Sequence, residues 1–177
     1  MRVLIASDIH GSEFFIKKLM ERYAEENVEQ LILLGDLYYH GPRNSLPEGY
    51  NSQKVADILN SISDKILCVR GNCDSEVDEM ISKFHFTENL QLYINNKKVF
   101  LTHGHKLDEE NLANAYDIII YGHLHTGFIK KVKNTIVANT GSVSLPKNGT
   151  TNSYIILNDN KIELKDLAGN LIESEDF

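Results

Sequence analysis

The chain has 177 residues, 42% hydrophobic and 24% charged, with a formal net charge of −7. That composition excludes a disordered chain, a collagen-like repeat and a coiled coil. No apolar run approaches the roughly 20 residues that span a bilayer, and Arg2–Ala6 is too short for a signal-peptide core. A cytoplasmic protein of one domain, residues 1–177, is expected. Its only cysteines, Cys68 and Cys73, are expected as reduced thiols. The acidic balance argues against an extended nucleic acid or an anionic membrane as partner.

Val3–Ala6 is a short apolar run that suits a buried strand. Ser12 can cap a helix in which Phe14, Phe15, Leu19, Met20 and Tyr23 recur at helical spacing. Gln30–Leu34 is a second strand, ended by Gly35-Asp36. A long loop from His40 to about Ser52 follows, with Gly41, Pro42, Pro47 and Gly49. Gln53–Ser61 reads as a helix, Lys65–Val69 as a third strand, and Ser75–Ile81 as a short helix. Leu90–Ile94 and Lys97–Thr102 make a hairpin about Asn95-Asn96. A helical stretch over Asn111–Ala115 leads into the strand Asp117–Tyr121. Short strands complete the chain at Gly127–Val132, Thr135–Ala138, Ser153–Leu157, Lys161–Asp166 and Leu171–Glu173. Alternation of β and α, then meandering β, predicts an α/β sandwich with more than one sheet.

Metal-ligating side chains cluster just beyond the strands. Asp8 and His10 follow the first, Asp36 the second and Asn72 the third. His103 follows the hairpin, and His123 and His125 follow the isoleucine-rich strand. Ligands bind outside the carboxyl ends of strands in α/β sheets. Each motif alone is an ordinary turn; five strand ends aimed at one place are not. The His123/His125 pair is at i, i+2, which points both rings one way in extended chain. Two carboxylates, four imidazoles and an amide oxygen exceed the four donors of a structural zinc site. They suit two divalent ions sharing a carboxylate, drawn from manganese, iron, zinc, cobalt or nickel rather than calcium.

The series Asp8-x-His10, Gly35-Asp36, Gly71-Asn72-x-Asp74, His103-Gly104 and Gly122-His123-x-His125 resembles the calcineurin-like metallophosphoesterase family. The segment Asn139–Ser144 resembles that family's closing Gly-Ser stretch. Gly41–Asn44, Leu46–Tyr50, Arg70–Asp78 and Leu101–His105 are similar to the small bacterial YfcE-type phosphodiesterases within it.

The resemblance implies a four-layer α-β-β-α sandwich. It implies one ion held by Asp8, His10, Asp36 and His125, and another by Asp36, Asn72, His103 and His123, with Asp36 bridging. Mn2+ is the first expectation for both. The implied activity is hydrolysis of a small phosphodiester by a hydroxide between the ions. The family's histidine after the metal-binding asparagine, a leaving-group acid helped by the next residue, is here Cys73, followed by Asp74. A thiol is a weak donor, though nearby cations favour its ionisation. Acidic leaving groups should therefore react fastest, and 2′,3′-cyclic nucleotides poorly.

Alternatives are a phosphomonoesterase on the same site, a nuclease, or a non-catalytic interaction module. The resemblance also suggests a homo-oligomer, dimer or tetramer, with Tyr38, Tyr39 and Tyr50 at an interface, a pocket rim or the core edge. Arg43 and Asn44 are candidates to reach substrate, Asp74 to orient a neighbouring ligand, and His105 to stand behind His103 or at the surface. His40 and His85 are expected as ordinary surface or loop residues, and Cys68 as core.

Overall fold

The computed structural model describes residues 1–177. β1 (Val3–Ala6), β2 (Gln30–Leu33) and β3 (Ile66–Val69) lie parallel in one sheet, connected through α1 (Glu13–Glu25) and α2 (Ser52–Asn60). α1 starts where the Ser12 hydroxyl accepts the Phe15 amide, and its Ile16 and Leu19 are fully buried. The Asn51 side chain caps α2 by accepting the Lys54 amide, so this helix starts and ends one residue before the predicted Gln53–Ser61. A single 3-10 turn, Ser63–Lys65, takes Lys65 out of the third strand.

After α3 (Glu76–Ile81) comes β4 (Phe86–Thr87), which pairs parallel with β3. Two residues carry no readable periodicity, and the sequence gives no sign of this strand. β5 (Asn89–Ile94) and β6 (Lys97–Thr102) form the predicted hairpin. Its Asn95 and Asn96 have φ of 47° and 63°, as a two-residue turn between twisted strands requires. α4 is one turn, Glu109–Leu112, set earlier than the predicted Asn111–Ala115 because Asp108 caps it through the Asn111 amide. β7 (Ile118–Tyr121), β8 (Gly127–Val132), β9 (Thr135–Thr140), β10 (Ser153–Leu157), β11 (Lys161–Asp166) and β12 (Leu171–Asp176) follow.

Seven strands make one sheet in the order β12-β11-β10-β1-β2-β3-β4, and five make the other in the order β5-β6-β7-β9-β8. The chain returns at β10 to lie antiparallel beside β1. Period-two alternation divides each central strand between two cores. Leu4, Ala6, Leu31 and Leu33 pack against α1 and α2, with Ile16, Leu19, Val55 and Leu59. Val3, Ile5 and Ile32 face the second sheet and meet Val99, Leu101, Ile118 and Ile120. Each such buried side chain contributes about 1.5–3 kcal/mol, so this inter-sheet layer fixes how the strand ends align. The outer face of the second sheet, Ile119, Tyr121 and Val137, is covered by Leu107, Leu112 and Tyr116 around α4. The four layers are therefore α-β-β-α, with a thin outer helix on one side.

The long loop is ordered by its own hydrogen bonds. The Glu13 amide donates to Gly49 O at 2.9 Å and the Asn51 amide to Gly11 O at 2.7 Å. Tyr38 is a core residue, 2% exposed, with its hydroxyl 2.7 Å from Ser82 Oγ, whereas Tyr39 and Tyr50 are exposed.

Candidate metal centre

The loops after β1 and β2 stay paired beyond the strands. Asp8 N donates to Gly35 O at 3.1 Å, His10 N to Asp36 O at 2.9 Å and Gly11 N to Leu37 O at 2.8 Å. Within these loops and the one after β7, Asp8, His10, Asp36, His123 and His125 all have left-handed backbone, φ 49–62°. Every other non-glycine residue with positive φ is asparagine except Lys133. Left-handed backbone costs an ordinary L-residue about 1–2 kcal/mol. Strain gathered on five polar residues at one place marks a functional site.

The strain brings donor atoms together. Asp8 Oδ1 lies 3.2 Å from His125 Nε2 and 3.6 Å from His10 Nε2, and the two imidazole nitrogens are 3.2 Å apart. Asp36 Oδ2 lies 3.8 Å from His10 Nε2 and 3.5 Å from His103 Nε2. His103 Nε2 is also 3.0 Å from Asn72 Oδ1 and 3.3 Å from His123 Nδ1. Donors about 2.1 Å from one ion stand about 3.0–3.4 Å from each other, whether tetrahedral or octahedral. The atoms thus fall into two groups that meet at Asp36.

Three imidazoles are held in one tautomer. The Nδ1 atoms of His10, His103 and His125 each lie 2.7 Å from a backbone carbonyl, those of Tyr39, Leu34 and Leu145. A carbonyl can only accept, so each Nδ1 carries the proton and each neutral Nε2 presents a bare lone pair to the cluster. Lone pairs facing each other and a carboxylate require a cation between them. Asp8 Oδ1 makes the same demand, being buried without a hydrogen-bond partner. Burial works to raise the Asp8 carboxyl, yet His10 and His125 hold it well below the usual range. Burial likewise works against charge on His10, and Asp8 outweighs it and raises the imidazole. The donor set fits a divalent metal ion.

Surrounding polar groups fix the donors. Asp8 Oδ2 accepts the His123 amide at 2.9 Å, and the Asp8 carbonyl accepts the hydroxyls of Ser142 and Ser144 at 2.7 and 3.1 Å. Asn139 Nδ2 donates to Gly122 O at 2.6 Å, so Asn139–Ser144 buttresses the loops from beneath. Gly71 has no room for a side chain: a Cβ there would sit 2.1 Å from Asp36 Oδ1.

The residues predicted to follow Asn72 divide in role. The Cys73 amide donates to Asp36 Oδ1 at 2.8 Å, and its sulfur faces the cluster within 4.8 Å of donor atoms of His10 and Asp36. Burial first, and then the Asp36 carboxylate, push the thiol up to about 12. These groups oppose the ionisation that nearby cations would favour. Asn72 Nδ2 donates to that sulfur at 3.3 Å, which turns its Oδ1 toward His103. Asp74, expected as a helper in proton transfer, has both oxygens engaged by backbone. Oδ2 accepts the amides of Asp36 and Gly71 at 2.8 and 2.7 Å, and Oδ1 accepts that of Leu37 at 2.9 Å. Burial still pushes its carboxyl up to about 6, against those amides.

His123 and His125 depart from the extended-chain reading. Both are left-handed, and they serve different donor groups, His123 beside His103 and His125 beside Asp8 and His10. His105 is exposed, with its ring 5.5 Å from that of His103 and 6.1 Å from that of His123. His40 sits between the rings of Tyr39 and Tyr50, and His85 is exposed.

A cleft of about 640 Å3 opens over the cluster, with Asp36, Asn72, Cys73, His123 and His125 at its base. Tyr39, the Gly41–Asn44 segment, Leu124 and Lys147 form its rim. Lys147 has no motif of its own. Its one sequence signal is its place three residues beyond Ser144.

A family model described as the calcineurin-like phosphoesterase superfamily domain matches residues 1–161. The chain belongs to this superfamily. Members hydrolyse phosphoric esters with divalent metals, in agreement with the donor cluster described above. Phosphodiesterase YfcE of Escherichia coli K12 is 42% identical over 167 residues, 93% of this chain and 91% of that one. A solved structure of YfcE superposes with a TM-score of 0.94 at 38% identity, covering 99% of both chains. The probable metallophosphoesterase YsnB of Bacillus subtilis is 31% identical over 98% of this chain and 95% of its own. Vps29 of Entamoeba histolytica, solved with zinc, shares the fold at 23% identity, with a TM-score of 0.65 and 99% of both chains covered.

Proposed function

We propose that this calcineurin-like phosphoesterase is a phosphodiesterase that cleaves small phosphodiesters at a centre of two divalent ions. One ion is assigned to Asp8, His10, Asp36 and His125, and the other to Asp36, Asn72, His103 and His123, with manganese the first expectation. The observation that carries this reading is the convergence of bare imidazole nitrogens and the orphan Asp8 Oδ1 in two groups sharing Asp36. The name of the relative YfcE supports the diester.

When bound, such ions supply Lewis acidity to the phosphate oxygens and an activated water. The protein supplies position. The carbonyls of Tyr39, Leu34 and Leu145 keep three imidazoles facing inward, and Asp74 grips the amides of Asp36, Leu37 and Gly71. A thiol at Cys73 is a weak donor, so the leaving oxygen receives little help there and aryl esters react faster than alkyl ones. The open cleft admits a small ligand, and the net charge of −7 disfavours a long polyanion. Both cysteines are free, which suits the reducing cytoplasm.

The test is metal-stripped protein assayed on bis(p-nitrophenyl) phosphate and p-nitrophenyl phosphate, with Mn2+, Ni2+, Co2+, Zn2+ and Mg2+ added in turn. Metal-dependent hydrolysis, faster on the diester and lost in Asp36→Ala, is expected. Faster hydrolysis of the monoester would make the chain a phosphomonoesterase. Folded protein that turns over neither compound with any metal would leave an interaction module.

A further inference from the structure

The rim of the cleft has a charge opposite to that of the protein. Arg43 and Lys147 are its only permanently charged basic residues, and Asp36 at the base is its only acidic one. Of the four arginines in the chain, Arg2 pairs with Glu26, Arg22 with Glu25 and Arg70 with Glu79. Neither Arg43 nor Lys147 has a carboxylate within 4.0 Å. An acidic chain leaves its one unpaired arginine over the metal cluster.

The backbones that carry these two cations are tied to the cluster. Tyr39 O accepts His10 Nδ1–H, and the segment runs on to Arg43 through a turn closed by Asn44 Nδ2 donating to His40 O at 2.8 Å. Leu145 O accepts His125 Nδ1–H, and the Lys147 amide returns to His125 O at 2.8 Å. Thr150 Oγ1 then donates to Lys147 O at 2.8 Å and closes that turn. The two imidazoles thus fix the origins of both cations relative to the donor cluster. Arginine presents a planar fork suited to a phosphate or carboxylate, and lysine presents a point charge.

We infer that Arg43 and Lys147 form an anion-reading subsite, so that the diester cleaved here carries a second negative group beside the scissile phosphate. This rests on the phosphodiesterase reading. The second group is a phosphate or a carboxylate, since both offer oxygens to the same two cations.

The experiment uses four p-nitrophenyl phosphodiesters that share one leaving group. The retained alcohol is ethyl, 2-carboxyethyl, 2-phosphoethyl or 2-trimethylammonioethyl. In each, the P–O bond to the aryl oxygen breaks, p-nitrophenolate leaves and water supplies the new oxygen on phosphorus. The full-length protein reconstituted with Mn2+ is expected to favour an anionic ester over ethyl by about tenfold in kcat/KM, and to disfavour the cationic one. The preference should shrink as salt shortens the screening length below about 10 Å. A larger gain for the phosphoethyl ester assigns a phosphate, and a larger gain for the carboxyethyl ester assigns a carboxylate. In the double variant Arg43→Gln, Lys147→Gln the ratio of anionic to ethyl ester should fall to near one, whatever the absolute rates. In the double variant Arg43→Glu, Lys147→Glu it should reverse toward the cationic ester. Equal rates for all four esters in the wild type, or a ratio that survives the double variant, would overturn the subsite and leave the phosphodiesterase reading intact. Failure to hydrolyse even the ethyl ester and bis(p-nitrophenyl) phosphate would overturn that reading and the subsite with it.

Discussion

Gly71→Ala separates the position of Asp36 from its chemistry. Gly71 has ordinary backbone, so alanine adds a methyl group without conformational strain. That Cβ would stand 2.1 Å from Asp36 Oδ1, 2.5 Å from its amide nitrogen and 2.9 Å from its Cγ, where 3.4 Å begins ordinary contact. The Asp36 carboxylate or its backbone must therefore retreat by about 1 Å, because two of the three atoms belong to a carboxylate already engaged by the Cys73 amide. Misplacement by about 1 Å costs roughly 100-fold in rate, and overpacking costs about 1–3 kcal/mol in stability. Steady-state kinetics on the aryl diester, Mn2+ titration by calorimetry and urea unfolding of the metal-free protein read the three effects. Gly169→Ala is the matched control. Gly169 has φ of 89°, and its Cβ would meet only the flexible end of Arg22. It should lose about 1 kcal/mol of stability and keep its kinetic constants. A Gly71→Ala protein with metal affinity and kcat/KM within threefold of wild type would refute the claim that Asp36 is held to ångström tolerance.

Asp74→Ala should weaken Mn2+ binding about 10–100-fold, because three amides of the Asp36 and Gly71 loops lose their acceptor; a group that merely passed a proton would leave the affinity unmoved. Cys73→His should raise turnover of alkyl relative to aryl diesters, and an unchanged ratio would show that the thiol merely fills space. Adding Mn2+ at about 100 times its Kd should stabilise the protein by about 2.7 kcal/mol, seen in calorimetry as an upward shift in Tm that Asp36→Ala abolishes. Glu26, far from the cluster, is raised by burial but held lower on balance by Lys165, Tyr154 and Arg2. A carboxyl depressed in the folded state adds stability above its unfolded pKa and loses it as pH falls through the folded one. Glu26→Gln should therefore cost about 1 kcal/mol at pH 7, discounted for solvent screening, and progressively less below the ordinary carboxylate range, measured by urea unfolding across pH.

What was readable in the sequence follows from what local pattern can encode. Val3–Ala6, Gln30–Leu34 and Asp117–Tyr121 were visible because a strand buried on both faces is an unbroken apolar run. Asp8, His10, Asp36, Asn72, His103, His123 and His125 stood out because each interrupts such a pattern at the same kind of place. Phe86–Thr87 was hidden because two residues have no period, and α4 was shifted because the Asp108 cap outweighs the run that follows it. Lys147 was invisible for another reason. Its place over the cleft comes from the tertiary hydrogen bonds between Leu145–Lys147 and His125, which no spacing rule records. Asp74 was readable as a residue that orients a neighbouring ligand, but not the atoms it grips, because its oxygens turn to the backbone amides of Asp36, Leu37 and Gly71.

The left-handed backbone at Asp8 and His10 explains how so short a segment offers two donors to one group. In an extended strand, residues i and i+2 point the same way but stand about 6.4–6.8 Å apart, twice the edge of a coordination shell. Left-handed turns at both residues curl the chain until Asp8 Oδ1 and His10 Nε2 are 3.6 Å apart. The same curl at His123 and His125 works in the opposite sense, sending one ring toward His103 and the other toward Asp8. Glycine would adopt this backbone without strain, but glycine has no donor to offer. Asp and His enter the left-handed region more readily than most residues, yet five of them together still cost on the order of a few kcal/mol, a sizeable part of the net stability of a typical domain. Such a site persists only on a scaffold that over-determines it. The inter-sheet core and the continued pairing of Asp8, His10 and Gly11 with the β2 loop supply that constraint. Bound cations would remove the other opposing force, the mutual repulsion of lone pairs at His10, His125 and Asp8. The same convergence that makes the metal-free cluster unfavourable is therefore what gives it affinity for metal.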